Sequence, residues 1–316
     1  MELNTPSAAR MGELFALLSA ACFATANVTI NRGSTAGDAD NGAFLSIVLT
    51  AAVAVIAMLL SGSALPAKNL NISGLAWFAL GGVLTAFIGR IFLFASVQSL
   101  GAMRASTVKR LNPFFAVILG TLVLGESLGG WMIPGMALIF TSFVFLAVDS
   151  WHRSAAIAVS GGSRAAAVSP RLLDLGLVYG PISAFAYALG YLARKQGLNL
   201  IPDPFLGTAV GALAGIGAYL LASIAIPAYR TAITNTVRRV NLWFYFTGLL
   251  ASFGQLCYFV ALSHSSVSRV ALIASMEVFI TIFLSVWIFR TRERLTANTL
   301  FAACLGVVGT GLILLQ

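Results

Sequence analysis

Charge is what this sequence has least of. Its 316 residues include 19 Lys and Arg and 10 Asp and Glu, 9% in all, whereas 59% are of hydrophobic type. Soluble domains carry about 25% charged residues, so ionised groups are too few to cover a water-facing surface. That scarcity excludes a soluble globular enzyme and a disordered chain. It also excludes a nucleic-acid binder, although the formal net charge is +9; a surplus of base belongs to membrane flanks. Histidine is nearly absent, with only His152 and His264, and the three cysteines, Cys22, Cys257 and Cys304, all lie inside apolar runs. No disulfide framework, metal site or cofactor is expected from so few ligating groups. Intramembrane catalysis would need a nucleophile–base pair that the chain does not offer. A nucleotide-binding G-x-x-x-x-G-K-[ST] loop is missing too, which argues against ATP-driven pumping.

Long apolar runs, by contrast, are abundant. They fall at about 11–31, 42–61, 74–95, 105–124, 131–149, 173–193, 205–226, 242–263, 268–289 and 297–315. Each is near the ~20 residues that a helix needs to cross a bilayer core. A transmembrane barrel would instead alternate apolar and polar residues over segments of about ten. The start, Met1 to Arg10, is polar, and the run after it is long enough to span and stay, so no cleavable leader is expected. The stretch 150–172, containing Ser160-Gly-Gly-Ser-Arg, reads as a flexible linker with five spans on either side.

The two halves, 11–149 and 173–315, resemble each other. Residues 19–33 lie over 183–197 without a gap, pairing Phe23 with Tyr187, Asn27 with Tyr191 and Gly33 with Gly197. Trp77-Phe78, Gly82 and Phe87 likewise meet Trp243-Phe244, Gly248 and Phe253. Because five is odd, the second half must enter the membrane from the opposite side. The predicted fold is therefore an all-α membrane protein of ten transmembrane helices, built as two inverted five-helix repeats. Such repeats place a solute site near the midplane and let access alternate.

Ionised side chains at bilayer depth are costly and usually face a cavity or a partner. Arg90 in the third span, Lys109 and Arg110 in the fourth, and Glu277 in the ninth stand out. Three cations against one acid leave a positive excess, which an anionic cargo, a carboxylate or phosphate, would neutralise. Lys109 and Arg110 are separated by about 100° around a helix; Lys109 is assigned to the cargo and Arg110 to a helix interface. Glu277 is either the salt-bridge partner of a cation or a group that takes up and releases a proton. Asn27, Tyr187, Tyr191, Gln255 and Tyr258 add polar and aromatic faces suited to a cavity wall. Arg194 and Lys195 continue the face of Tyr187 and Tyr191 toward the cavity wall or, closing the sixth span, serve as interfacial anchors. Gly207, Gly211 and Gly215 repeat at small-xxx-small spacing and read as a helix-packing face. Pro113 and Pro181 would kink or loosen their helices.

Gly101-Ala-Met-Arg-Ala-Ser, Leu111-Asn-Pro-Phe-Phe-Ala-Val-Ile-Leu-Gly and Leu124-Gly-Glu-Ser-Leu mark the first half. Ser268-Arg-Val-Ala-Leu, Met276-Glu-Val-Phe and Arg292-Glu-Arg-Leu-Thr mark the second. Together these resemble the drug/metabolite transporter superfamily, in particular its EamA-type members, over nearly the whole chain. The family's "EP" dipeptide is altered in both halves, to Asn112-Pro113 and Glu277-Val278. Thr107-Val-Lys-Arg-Leu further resembles the phosphate-holding element of sugar-phosphate translocators, which there lies in the second half. The resemblance implies secondary transport of a small organic solute across a lipid bilayer, with proton or counter-substrate coupling, in a multi-pass protein of the bacterial inner membrane. An anionic metabolite is the expected cargo. The alternative is export of amino acids or aromatic compounds, with the buried cations structural and the tyrosines binding. Positive-inside counting puts both termini outside the cytoplasm, whereas the family resemblance suggests the reverse.

Overall fold

The structure, a computed structural model, describes residues 6–33, 42–62, 71–93, 111–159, 170–238, 242–287 and 297–315. Everything described is helix or the turns between helices. In the first half lie α1 (Pro6–Gly33), α2 (Ala43–Leu60), α3 (Ile72–Leu93), α4 (Asn112–Leu124) and α5 (Met132–Val159). The second half holds α6 (Pro170–Leu200), α7 (Pro204–Ala225), α8 (Pro227–Arg238) and α9 (Leu242–His264), then α10 (Val267–Ala274), α11 (Glu277–Trp287) and α12 (Ala297–Leu314). Five of these contain stretches long and apolar enough to cross a membrane: Arg10–Thr29, Ala43–Leu60, Ile72–Leu93, Pro204–Ala225 and Leu242–His264. Asn112–Leu124, Met132–Phe145 and Leu300–Leu314 are shorter apolar helices. Outward-facing residues such as Leu14, Leu122, Leu221, Ile224 and Phe246 are exposed, as a lipid-facing surface requires.

Local chemistry fixes the helix ends. The Asn71 side chain accepts from Ser73 N at 2.9 Å to start α3, and Asp203 accepts from Phe205 N and Leu206 N at 2.9 and 3.0 Å to start α7. Both satisfy amides that a helix N-terminus leaves unpaired. Three local features depart from the sequence expectation. The connection after α7 is itself helical: α8 sets Tyr229, Ala232 and Ile233, spaced i, i+3, i+4, against Phe44, Ile47 and Tyr219. Residues 150–172, read as linker, are helical at both ends, because α5 runs on to Val159 and α6 begins at Pro170. The ninth span is broken, with Met276 N donating to Ile273 O and Val278 N to Ser275 O in tight i−3 turns between α10 and α11.

Packing relates the two halves by exchange. Swapping α1 with α6, α2 with α7, α3 with α9, α4 with α10–α11 and α5 with α12 maps each main helix pair onto another. Thus α1–α9 corresponds to α3–α6, α2–α9 to α3–α7, and α1–α11 to α4–α6. The pairs α2–α7, α5–α12 and α4–α10 map onto themselves. The symmetry reaches single hydrogen bonds. Ser19 Oγ donates to Gly254 O at 2.8 Å, and its repeat mate Ser183 Oγ donates to Gly89 O at 2.6 Å.

Small residues make these pairings close. Ala16, Ala20 and Ala24 form a buried stripe on α1. On α7, a Cβ built at Gly207 would lie 2.8 Å from the Phe78 ring, and one at Gly215 2.8 Å from Ala86 Cβ. The three-glycine face thus packs against α3 as expected from its spacing.

Candidate functional site

The interleaving leaves a hollow between α2, α3, α6, α7 and α9. Its walls carry Thr50, Thr85, Arg90, Tyr187, Arg194, Thr208 and Gln255 over apolar or backbone surface from Ile47, Ala86, Gly211 and Ala212. Water-sized groups can centre within only ≈ 20 Å³ of it, room for about one such group. The helices close tightly around a small polar core.

Part of the site's shape comes from α3, which widens from an α-helix over Ile72–Gly82 to a π-helix over Val83–Gly89. Such a wide turn admits an extra residue and re-aims the side chains that follow; π-turns are often found at functional sites. Thr85, Ala86 and Arg90, all at or just beyond it, face the hollow. Arg90 Nη1 donates to Ala43 O at 3.4 Å and to Ser46 Oγ on α2. Arg194 is 4% exposed and donates through Nη2 to Thr85 Oγ1, while its Nε and Nη1 have no acceptor. The guanidinium carbon stands 4.7 Å from the Phe259 ring centroid and 5.8 Å from that of Tyr191. Tyr191 stacks on Tyr258 at 4.3 Å, and Tyr187 lies 6.2 Å from Tyr191.

Of the residues singled out in the sequence, Arg90, Tyr187 and Gln255 line the hollow, and Tyr191 and Tyr258 form an aromatic pair next to Arg194. Asn27 and Glu277 lie elsewhere: Asn27 Nδ2 donates to Glu277 Oε1 at 2.6 Å across α1 and α11. Glu277 also occupies the first turn of α11, where the amide dipoles of a helix start favour a carboxylate. Asn112, at the altered dipeptide of the first half, donates to Ala184 O of α6 at 3.1 Å. Each altered dipeptide therefore holds the first helix of the opposite repeat. Lys109 and Arg110 lie outside the described residues.

Arg194 is buried within the bundle, while Lys195 lies at the end of a neighbouring helix. The helix extends to Leu200, past the boundary that hydropathy suggests, and so carries Arg194 well inside. Lys195 Nζ donates to Leu262 O and Ser265 O at 2.7 and 2.8 Å, closing the C-terminal end of α9. Nearby, Glu126 caps α10 by accepting from Val267 N, Ser268 N and Ser268 Oγ. Arg269 pairs with Glu13 at 2.5 Å and donates to Ile313 O. That end of the bundle is thus held by charged groups acting on backbone and on one another. Among the described residues, no group of three His, Cys, Asp or Glu gathers as a metal site would require.

A helical bundle of two exchange-related halves, with apolar spans and a cationic hollow where the halves interleave, is the build of a multi-pass integral membrane protein. The chain belongs to the EamA-like transporter family, part of the drug/metabolite transporter superfamily, whose sequence pattern matches residues 10–148 and again 174–315. Among solved structures, one described only as "Crystal structure of protein" superposes with a TM-score of 0.70, covering 98% of each chain at 15% identity. At that identity the likeness concerns the fold alone. No curated protein matches the chain by sequence.

Proposed function

We propose that this protein is a ten-span secondary transporter of the bacterial inner membrane that moves a small anionic organic metabolite by alternating access. Its repeats are taken as 11–149 and 173–315, joined by 150–172. One observation carries the reading: the hollow is lined by two guanidinium groups, Arg90 and Arg194, and by no carboxylate among the described residues. A buried guanidinium beside a half-buried one, with no acid on the same wall, favours a counter-charge brought by the cargo. Lys109 joins them as a third contact, with Arg110 turned to a helix interface. Asn27, Tyr187, Tyr191, Gln255 and Tyr258 complete the solute path. The protein acts as a carrier without cofactor, not as an enzyme.

Proteoliposome counterflow tests this. Vesicles loaded with a mixed pool of anionic metabolites accumulate labelled anion, and Lys109→Gln reduces the initial rate by at least about tenfold, the loss of one charge-assisted contact. Equal flux of neutral and anionic solutes would overturn the anionic assignment. The aromatic-exporter alternative draws on the Tyr187–Tyr191–Tyr258 column; under it, Lys109→Gln spares transport.

Glu277 is assigned to coupling. It is hydrogen-bonded to Asn27 across the halves and sits at the restart of a broken helix, a recurrent place for coupling groups in carriers. Glu277→Gln should retain exchange of solute for solute while abolishing uptake driven by a pH gradient. Unchanged gradient-driven uptake in that variant would remove Glu277 from the coupling step.

A further inference from the structure

Unsatisfied buried side-chain atoms are not scattered through this bundle. Among the described residues there are five: Arg194 Nε and Nη1, Gln255 Nε2, Tyr258 Oη and Arg269 Nε. Four of them fall on three residues at one place. Arg194 and Gln255 line the same hollow, and Tyr258 stacks on Tyr191, whose ring lies beside the Arg194 guanidinium. Gln255 and Tyr258 are three apart on α9, and Tyr191 and Arg194 three apart on α6, so each pair shares one helix face.

All four atoms are able to donate. An unpaired buried donor is expensive, and buried polar groups in native proteins are nearly always paired, so a concentration of four calls for an acceptor. The hollow's own acceptors do not meet the demand, since the Thr85 hydroxyl already takes Arg194 Nη2.

We propose that Arg194, Gln255 and Tyr258 form a subsite for a single carboxylate group of the transported solute. The inference rests on the transporter reading and names the chemical class within it. Two features favour a carboxylate over a phosphate. A carboxylate offers about four lone-pair sites on two oxygens, matching the four donor atoms. Its single negative charge balances the Arg194 guanidinium, whose unpaired donors lie here, whereas a phosphate dianion would call for a second cation aimed at this cluster. Arg90 shares the hollow, but its Nη1 is directed at Ala43 O and Ser46 Oγ on α2 and not at this cluster. The flanking rings of Tyr191, Tyr258 and Phe259 favour an apolar or planar body behind that head.

The test is thermal unfolding of the purified full chain in detergent, at fixed pH and ionic strength, with acetate, benzoate, inorganic phosphate or chloride. Acetate and benzoate should raise the wild-type midpoint saturably, benzoate at the lower concentration, while phosphate and chloride act only as salt. Arg194→Gln should abolish the saturable shift. Tyr258→Phe and Gln255→Met, which delete a donor with little change of volume, should each weaken half-saturation by about tenfold, one charge-assisted hydrogen bond. If Arg194→Gln does not fold, those two variants decide. The proposal falls if phosphate stabilises as well as carboxylates, if no carboxylate gives a saturable shift, or if both conservative variants bind like wild type. Because the measurement uses neither vesicles nor a gradient, its failure is separable from that of the transport reading. Carboxylate binding without counterflow would overturn transport alone; counterflow without carboxylate binding would overturn the subsite alone.

Discussion

Gly82→Ala is expected to leave little or no folded protein. A Cβ at that position would lie 2.0 Å from Gly211 O and 2.4 Å from Gly211 Cα. Both obstructions are backbone, so no rotamer change relieves them and α3 must move away from α7. That displacement would loosen the packing of Phe78, Thr208 and Ala209, all buried near the contact. Overpacking commonly costs about 1–3 kcal/mol; with backbone on both sides the upper end or beyond is expected. Gly217→Ala supplies the control on α7, the facing helix, because nothing lies within 4 Å of its Cβ position. It should stabilise by about 0.5–1 kcal/mol through helix propensity. Monodispersity after detergent extraction and the thermal midpoint report both variants. A Gly82→Ala protein melting within about 2 °C of wild type would mean that α3 and α7 do not meet as described.

Glu126→Ala should produce the second large loss. The carboxylate accepts from Val267 N at 2.6 Å, Ser268 N at 2.9 Å and Ser268 Oγ at 2.6 Å. It also places negative charge at the start of α10, where the helix dipole favours it. Truncation strands two amides and a hydroxyl, for a loss of about 3 kcal/mol or more. Glu126→Gln keeps one acceptor oxygen and should recover part of it. In thermal unfolding the expected drop for the alanine variant is about 6–12 °C. A midpoint unchanged by the alanine substitution would show that this cap contributes nothing to holding the two repeats together.

Much of the architecture is legible in the sequence because lipid permits few backbone solutions. Apolar runs mark the helices, and the gapless match of residues 19–33 with 183–197 anticipates the paired Ser19 and Ser183 hydrogen bonds. The Gly207, Gly211 and Gly215 spacing anticipates the approach to α3. Helix ends are harder to read. Hydropathy falls where charge begins, so the sixth span reads as ending before Arg194; yet the helix continues, and cation–ring contacts with Phe259 and Tyr191 hold that guanidinium inside. The break before Glu277 has no glycine or proline to announce it. The amphipathic pattern of α8 is visible in Tyr229, Ala232 and Ile233, but it is short and polar beside the spans around it. Orphaned donors such as Gln255 Nε2 and Tyr258 Oη emerge only once the neighbours are known.

The reciprocal contact of α5 with α12 bears on how such a molecule deforms. A Cβ at Gly135 would stand 2.6 Å from Gly309 O, and one at Gly309 2.6 Å from Gly135 O. A similar seam joins α3 to α7, and α1 lies along α9. Each of these unions takes one member from either genetic duplicate. The units of inheritance are consequently not the units of mechanics: any stiff piece that swings in this bundle must be a mixed assembly, cut across the ancestral duplication.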